Sequence, residues 1–289
     1  MPHCALLRFV GAAVDTARPG QSEDNKANLI VDGDQFVVVC SNAAHMQSPT
    51  HHACCKKFAG EFLGKMRHNL RQRFSPYHSK QHHDREIMKQ IGARRQPCEF
   101  AGGWLCRLVQ FSAQQTTEYG AMSFAAVAVD DHAFHYMVVG DCAVHIFAYN
   151  HVLHSWTRLF CTTPRMMEFV GEDGEISQVP QEVIIHEPSD RCSSSLATML
   201  SAGEYSARIA DENELVVAGP DHLFDRVEQS RIVDLMSSGC PHGVAWASDA
   251  QARESARTIG TALAGEALRS EGLKLEHVRV HVGFIVPTD

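Results

Sequence analysis

The sequence predicts an α+β fold built on a sandwich of β-sheets. Two observations support this prediction. Short apolar segments separated by turn residues occur in runs, and the helical segments are also grouped, so strands and helices do not alternate one by one. The chain has 289 residues, of which 44% are hydrophobic and 21% charged, as is usual for a globular protein with a large core. One large domain or two small ones would fit this length.

Three strands are predicted near the N-terminus, at residues 4–12, 27–31 and 35–40. The last two form a hairpin around the turn Asp32-Gly33-Asp34. The apolar run Val37-Val38-Val39 is typical of a buried strand, and we expect this strand to stop at Ser41-Asn42, which are turn formers. A polar turn after a buried strand commonly holds a functional group, because the strand fixes the backbone and the turn exposes the side chain.

A long amphipathic helix follows. Apolar residues recur at every fourth position in the stripe Cys54, Phe58, Phe62, Met66 and Leu70. This pattern predicts a helix from residue 49 to residue 74, and Ser75-Pro76 ends it. Two further helices are predicted at residues 83–91 and 99–112.

The remaining elements are predicted from short apolar runs and helical periodicity. Strands are expected at residues 123–129, 135–139, 144–148, 156–159, 183–185, 215–218 and 278–286. Residues 162–178 are expected to be rich in turns. Amphipathic helices are expected at residues 227–237 and 248–270.

Charge is distributed unevenly along the chain. Residues 56–95 contain eleven Lys or Arg residues and three acidic residues, so this segment has a net charge of +8 and the rest of the chain −16. A solvated helix face and a footprint for an acidic partner both fit such a block. We predict a docking surface that binds RNA, with an acidic protein surface as the alternative. The binding residues selected are Lys65, Arg67, Arg71 and Arg73.

Composition disfavours several other classes of protein. No apolar run approaches 18 residues, so we expect no membrane association through a spanning helix. The ten cysteines form no CxxC pair and are expected to be reduced, in a chain that is not secreted. A zinc site at His51-His52-Ala53-Cys54-Cys55 is disfavoured because Cys54 belongs to the apolar stripe.

Five motifs follow one another in a specific order. They are Ser22-Glu23-Asp24-Asn25, Cys40-Ser41-Asn42, Gly140-Asp141-Cys142, Pro220-Asp221-His222-Leu223-Phe224-Asp225 and Glu276-His277-Val278-Arg279-Val280. In this order the chain resembles, over nearly its whole length, the metal-dependent protein Ser/Thr phosphatases of the 2C type. The resemblance implies a single domain over residues 1–289. Its fold would be a four-layer α-β-β-α sandwich of two antiparallel sheets flanked by helices.

The same resemblance implies a site and a location. The family uses two divalent cations, Mn²⁺ or Mg²⁺, to activate a water and neutralise a phosphate. The matching metal ligands are Asp24, Asp221 and Glu276, and the matching phosphate-binding residue is Arg18. The segment Phe160-Cys161-Thr162-Thr163-Pro164 resembles one found in a branch with mitochondrial members. It implies a mitochondrial location, with the cytoplasm as the alternative.

The family's bridging Asp and the Gly after it fall on Ser41 and Asn42. A neutral serine cannot balance two dications, so we expect no catalytic residues, no cofactor and a metal site that is weak or lost. The expected function is that of a pseudophosphatase: a scaffold or assembly component that binds other proteins and RNA. Two alternatives remain open. One is an active Mn²⁺- or Mg²⁺-dependent phosphatase with an atypical metal site, and the other is a cleft that binds phosphoprotein or nucleotide without turnover.

Overall fold

The structure is a computed structural model. It describes residues 7–17, 30–32, 36–42, 49–75, 79–93, 103–118, 120–130, 133–162, 166–170, 175–180, 183–185, 204–209, 214–240, 243, 248–269 and 277–287. The strands are β1 (Leu7–Ala17), β2 (Ile30–Asp32), β3 (Phe36–Asn42), β4 (Gly120–Asp130), β5 (Ala133–Val139), β6 (Cys142–Asn150), β7 (Ser155–Cys161), β8 (Met166–Val170), β9 (Ile176–Pro180), β10 (Val183–Ile185), β11 (Glu204–Ile209), β12 (Glu214–Pro220) and β13 (His277–Pro287). The helices are α1 (Pro49–Arg73), α2 (Lys80–Ala93), α3 (Trp104–Gln115), α4 (Asp221–Arg226), α5 (Gln229–Gly239) and α6 (Asp249–Arg269).

The strands form two main antiparallel sheets. The five-stranded sheet has the order β1-β13-β12-β6-β7. The six-stranded sheet has the order β11-β5-β4-β3-β2, and β10 pairs with β4. Helix α6 packs on β1 and β13, whereas α1 packs on β4 and α3 on both α1 and β5. The predicted α+β fold, a four-layer sandwich of two antiparallel sheets flanked by helices, is therefore confirmed.

Three apolar clusters hold the four layers together. Between the sheets, Phe9, Val127, Ile146 and Val216 are buried against one another. Alternate residues of the same strands point to the opposite face and pack against helices, because successive side chains of a strand alternate between the two faces of the sheet. The stripe predicted for α1 is confirmed where it is described, since Phe58, Phe62, Met66 and Leu70 are buried against β4 and α3.

The structure departs from the sequence prediction at several elements. The predicted turn-rich segment contains β8 and β9, which pair only with each other. Strand β11 and the short helix α4 were not predicted. The sequence of β11 (Glu-Tyr-Ser-Ala-Arg-Ile) is mixed in polarity, as suits a strand at the edge of a sheet, and α4 has only six residues in which to show a period. Helix α3 begins at Trp104, later than expected.

Strand β3 does not stop at Ser41. It continues through Asn42 and pairs with β4 over its full length, with Ser41 opposite Ser123 and Asn42 opposite Met122. Backbone pairing with a neighbouring strand has overridden the turn preference of these two residues.

Among the described residues, no helix is long and apolar enough to cross a membrane. Four cysteines in this part of the chain, Cys106, Cys142, Cys161 and Cys240, are free thiols.

Candidate functional site

Four chain segments meet at one end of the sandwich. Ser41 lies at the end of β3 and faces Ser123 of β4 across the ladder. The turn Gly140-Asp141 joins β5 to β6, and α4 starts immediately after β12, whose last residue pairs with Cys142. The sheet registers therefore bring together residues that are far apart in the sequence.

Backbone hydrogen bonds fix these segments to one another. The Asp141 N–H donates to the Oγ of the fully buried Ser123 at 2.9 Å. The Asp221 N–H donates to the Asp141 carbonyl oxygen at 3.4 Å. Gly140 has φ 74°, in the left-handed region that glycine adopts without strain, and so permits the turn that presents Asp141. The end of β3 is thus connected through Ser123 to the turn and to the start of α4.

Among the described residues, Asp141, Asp221 and Asp225 and the histidine His222 lie near one another in this region. Burial, followed by the nearby carboxylates of Asp225 and Asp141, raises the pKa of Asp221 to about 6, while His222 opposes the shift. The Nδ1 atom of His222 lies 3.7 Å from the Asp141 carboxylate, and both side chains are largely buried. His222 thus places its ring beside the Asp141 carboxylate.

The described side chains do not fit a centre for two cations. Within the described ranges, no group of three or more His, Cys, Asp or Glu side chains is placed to hold a metal ion. Hard cations such as Mn²⁺ and Mg²⁺ need several carboxylate oxygens, and Ser41 offers a hydroxyl at best. Of the predicted site residues, Asp221 is in place. Arg18, Asp24 and Glu276 lie outside the described residues, and of Ser41 and Asn42 the structure describes the backbone.

Sequence reasoning missed an ion pair near this end of β13, formed by a buried arginine and an exposed aspartate. Arg279 is 6% exposed, and its Nε donates to the Asp15 carboxylate at 3.1 Å across the β1–β13 pairing. Val278 and Val280 pack in the cluster on the helical face, so Arg279 points to the other sheet. A charged residue at an alternate position of a largely apolar strand was a signal for Arg279 itself, whereas its partner depends on the register of β1 and β13.

The four residues selected for the predicted docking surface differ in their exposure to solvent. Arg67 and Arg71 are exposed on α1, and Lys65 is half-buried. Arg73 is 3% exposed, lies with its guanidinium carbon 4.0 Å from the Trp104 ring, and donates to both carboxylate oxygens of Asp84 at 3.2 Å. Its inclusion in the surface was wrong, because position 73 continues the buried side of the helix one turn beyond Asn69.

The aromatic residue after Arg73 is also turned inward. Phe74 is half-buried and packs edge-on against Trp104, with ring centroids 5.7 Å apart. Phe74 therefore offers no fully exposed ring for stacking on nucleic-acid bases.

Comparison with known proteins supports the fold. No protein-family model and no curated protein matches the sequence. The photosystem II phosphatase PBCP is similar in structure, with a TM-score of 0.56 and 14% identity over 96% of this chain and 98% of that chain. A C. elegans sex determining protein has a TM-score of 0.49 at 12% identity, over 95% of this chain and 65% of that one. The Mycobacterium tuberculosis Ser/Thr phosphatase PstP/Ppp has a TM-score of 0.48 at 12% identity, over 98% of this chain and 100% of that one.

PBCP is a Ser/Thr phosphatase of the 2C type. The likeness to PBCP extends over almost the whole of both chains, in agreement with the two antiparallel sheets and the flanking helices. The chain therefore has a phosphatase 2C-like fold.

Proposed function

We propose that this chain is a catalytically inactive protein of phosphatase 2C-like fold, which serves as a structural or assembly component by binding other macromolecules. One observation carries the proposal. Ser41 lies at the end of β3, opposite the buried Ser123, at the position where the resemblance puts the carboxylate that bridges two cations. A hydroxyl is neutral at physiological pH and leaves the repulsion between two dications uncompensated.

The remaining acidic groups do not replace that ligand. Asp141 is oriented by the Ser123 hydroxyl and contacts His222, while Asp221 and Asp225 lie on α4. The ligands that the resemblance implies are Asp24, Asp221 and Glu276, and these three carboxylates supply charge for at most one weakly held cation. Cleavage of a phosphate ester by this family needs both ions, one to activate the water and one to neutralise the phosphate. Loss of the bridge thus removes most of the rate acceleration.

Hydrolysis assays test the absence of catalysis. Turnover of p-nitrophenyl phosphate and of a phosphothreonine peptide is measured with millimolar Mn²⁺ or Mg²⁺ for the wild type and for Asp221→Asn. We expect both to remain at the background rate. Turnover at the level of active 2C-type phosphatases, abolished in Asp221→Asn, would refute the proposal. It would establish the alternative, a Mn²⁺- or Mg²⁺-dependent phosphatase with an atypical site.

The proposed assembly places partners on the basic helical segment, residues 56–95, in a protein complex that contains RNA. Support comes from the exposure of Arg67 and Arg71 and from the net charge of +8 in this segment. The location that follows from the resemblance is mitochondrial, with the cytoplasm as the alternative. Fractionation of native cells distinguishes the two.

A further inference from the structure

We propose that His281 is an acid-sensitive latch between the two sheets: its neutral ring closes the sandwich, and its protonation opens the core between the sheets. His281 lies in β13 and is fully buried. This property of the fold is independent of whether the chain hydrolyses phosphate.

Alternation along β13 directs the His281 ring to the space between the sheets. Its neighbours Val280 and Val282 pack in the cluster on the helical face, so His281 points to the other sheet. Within its own sheet, His281 is directly opposite Ala13 of β1 and Ala218 of β12. These two alanines leave room for a ring and offer it no polar side chain.

A pair of glycines shapes the place that the ring occupies. Gly11 of β1 is directly opposite Gly283 of β13. A Cβ added at Gly11 would lie 2.6 Å from the Cε1 atom of His281, and a Cβ added at Gly283 would overlap the Phe9 ring. Phe9 and His281 therefore lie close over the glycine pair, and they stack with ring centroids 5.1 Å apart and ring planes inclined by 26°.

The imidazole has no polar role in the closed sandwich. Neither Nδ1 nor Nε2 of His281 has a hydrogen-bond partner among the residues that the structure describes, and both atoms are shielded from solvent. Unpaired nitrogens cost free energy that a phenylalanine at this place would not. An imidazolium would cost far more, because it would bury a charge and two N–H groups without an acceptor. The closed sandwich therefore accepts only the neutral ring.

The charged groups around His281 do not stabilise a proton on it. Strands β1 and β12 flank β13, β3 of the other sheet packs against it, and α6 covers the opposite face. The titratable or charged residues of these strands are Arg8 and Asp15 in β1, Cys40 in β3, Glu214 in β12, and His277 and Arg279 in β13.

The carboxylates of this set are placed away from the His281 ring or are already paired. Asp15 accepts a hydrogen bond from the Arg279 Nε at 3.1 Å. Glu214 is four residues along β12 from Ala218, the residue opposite His281. Burial lowers the pKa of His281 to about 3, with no acidic group to offset it.

Proton linkage converts this burial into acid sensitivity. In the unfolded chain the imidazole is hydrated and has its ordinary pKa of about 6.5. Because the folded-state pKa of His281 is lower, the latch acts fully above about pH 6.5, and its effect is lost as the pH falls towards about 3. In this range the equilibrium constant for unfolding rises about tenfold for each pH unit of acidification.

A second buried histidine must be separated from this effect. His145 lies on the helical face of the same sheet and stacks on Phe224. Burial, followed by the nearby Arg158, lowers the pKa of His145 to about 3 as well. A comparison in which His145 is unchanged therefore isolates the contribution of His281.

Urea unfolding of the wild type and of His281→Phe between about pH 8 and about pH 5 tests the latch. Phenylalanine keeps a ring beside Phe9 and removes the titratable nitrogens. Relative to His281→Phe, the wild type should lose about 30-fold in its folding equilibrium constant over this range. His145 and Asp221 titrate in both proteins, so their contributions cancel in the difference. The matched control His82→Phe removes an exposed imidazole of α2 and should alter the pH dependence by less than about twofold.

Nuclear magnetic resonance of the wild type with isotope-labelled histidine gives a second, direct measurement. The His281 ring, assigned through its proximity to Phe9, should keep the chemical shifts of neutral imidazole in the folded protein down to about pH 5. Parallel pH curves for the wild type and His281→Phe would overturn the inference. A His281 ring that becomes protonated near pH 6.5 while the protein stays folded would overturn it too, and this readout decides the matter if His281→Phe does not fold.

Discussion

The two halves of the sandwich differ in the charge of their helices. In the half built on the six-stranded sheet, α1 carries six Lys or Arg residues and one Glu. In the half built on the five-stranded sheet, α6 carries three Arg residues and three acidic residues. The six-stranded half also contributes the neutral residues Ser41 and Ser123 to the candidate site, whereas Asp221 and the Arg279–Asp15 ion pair belong to the other half. The half that contributes neutral residues to the candidate site is thus the half whose long helix carries the excess of positive charge.

Substitution of Arg73 has the largest expected effect on stability. The basic half of the sandwich contains a buried cation, Arg73, and exposed cations such as Arg71. Arg73→Glu should reduce the free energy of unfolding by about 3 kcal/mol, because it would bury a carboxylate beside Asp84 and remove the guanidinium from Trp104. Arg71→Glu, on the exposed side of the same helix, should change it by less than about 0.5 kcal/mol. Urea unfolding measures both. Equal losses in the two variants would show that the basic face is part of the core.

Substitution of glycine by alanine should change the stability of the chain in opposite directions in the two halves. Gly283→Ala should destabilise the chain by about 2 kcal/mol, because the new Cβ would overlap the Phe9 ring. Gly64→Ala should stabilise it by up to about 1 kcal/mol, because nothing in the chain lies near the new methyl group. Thermal unfolding of the two variants compares them. A loss of stability in Gly64→Ala would show that the exposed face of α1 makes a contact within the chain at Gly64.

The raised pKa of Asp221 predicts that the stability of the folded state depends on pH. Its pKa is raised from 3.8 to about 6 in the folded state, so the folded state binds the proton more tightly than the unfolded state does. The contribution of Asp221 to stability therefore falls as pH rises from about 4 to about 6, and the penalty is fully present at pH 7. Asp221→Asn should be more stable than the wild type by about 1 kcal/mol at pH 7, once partial exposure to solvent is allowed for.

This difference should shrink as the pH approaches 4, where the wild-type carboxyl group is protonated in the folded state. Urea unfolding in a buffer with EDTA at several pH values measures it. A constant difference between the wild type and Asp221→Asn would show that Asp221 is not the group responsible.

The sequence was sufficient for the long helices, for most strands and for the buried stripe of α1, because these depend on local periodicity, but it missed β8, β9, β11 and α4. It was insufficient where packing decides the outcome. A sequence pattern treats an arginine such as Arg73 as a surface residue, yet its position on the helix directs it to Trp104 and Asp84. Nor could the pairing of Arg279 with Asp15, or the contact of His222 with Asp141, be predicted from the sequence. Each joins residues distant in the chain through strand register and turn geometry.

His281 illustrates the same limit. It is fully buried between the sheets and stacks on Phe9 with ring centroids 5.1 Å apart. Neither ring nitrogen has a hydrogen-bond partner among the residues described. Burial lowers its pKa to about 3, so the ring is neutral and acts as an aromatic core residue. From the sequence alone, His281 would be taken for a polar residue of the last strand.

The central claim is that the end of β3 has lost the ligand on which a two-cation centre depends. Calorimetric titration with Mn²⁺ of the wild type and of Ser41→Asp tests it most directly. We predict no tight site and at most one weak site in the wild type, and at least about tenfold tighter binding in Ser41→Asp, because the substitution restores a carboxylate where the segments of the site meet. Two sites of about micromolar affinity in the wild type, unchanged in Ser41→Asp, would contradict the account.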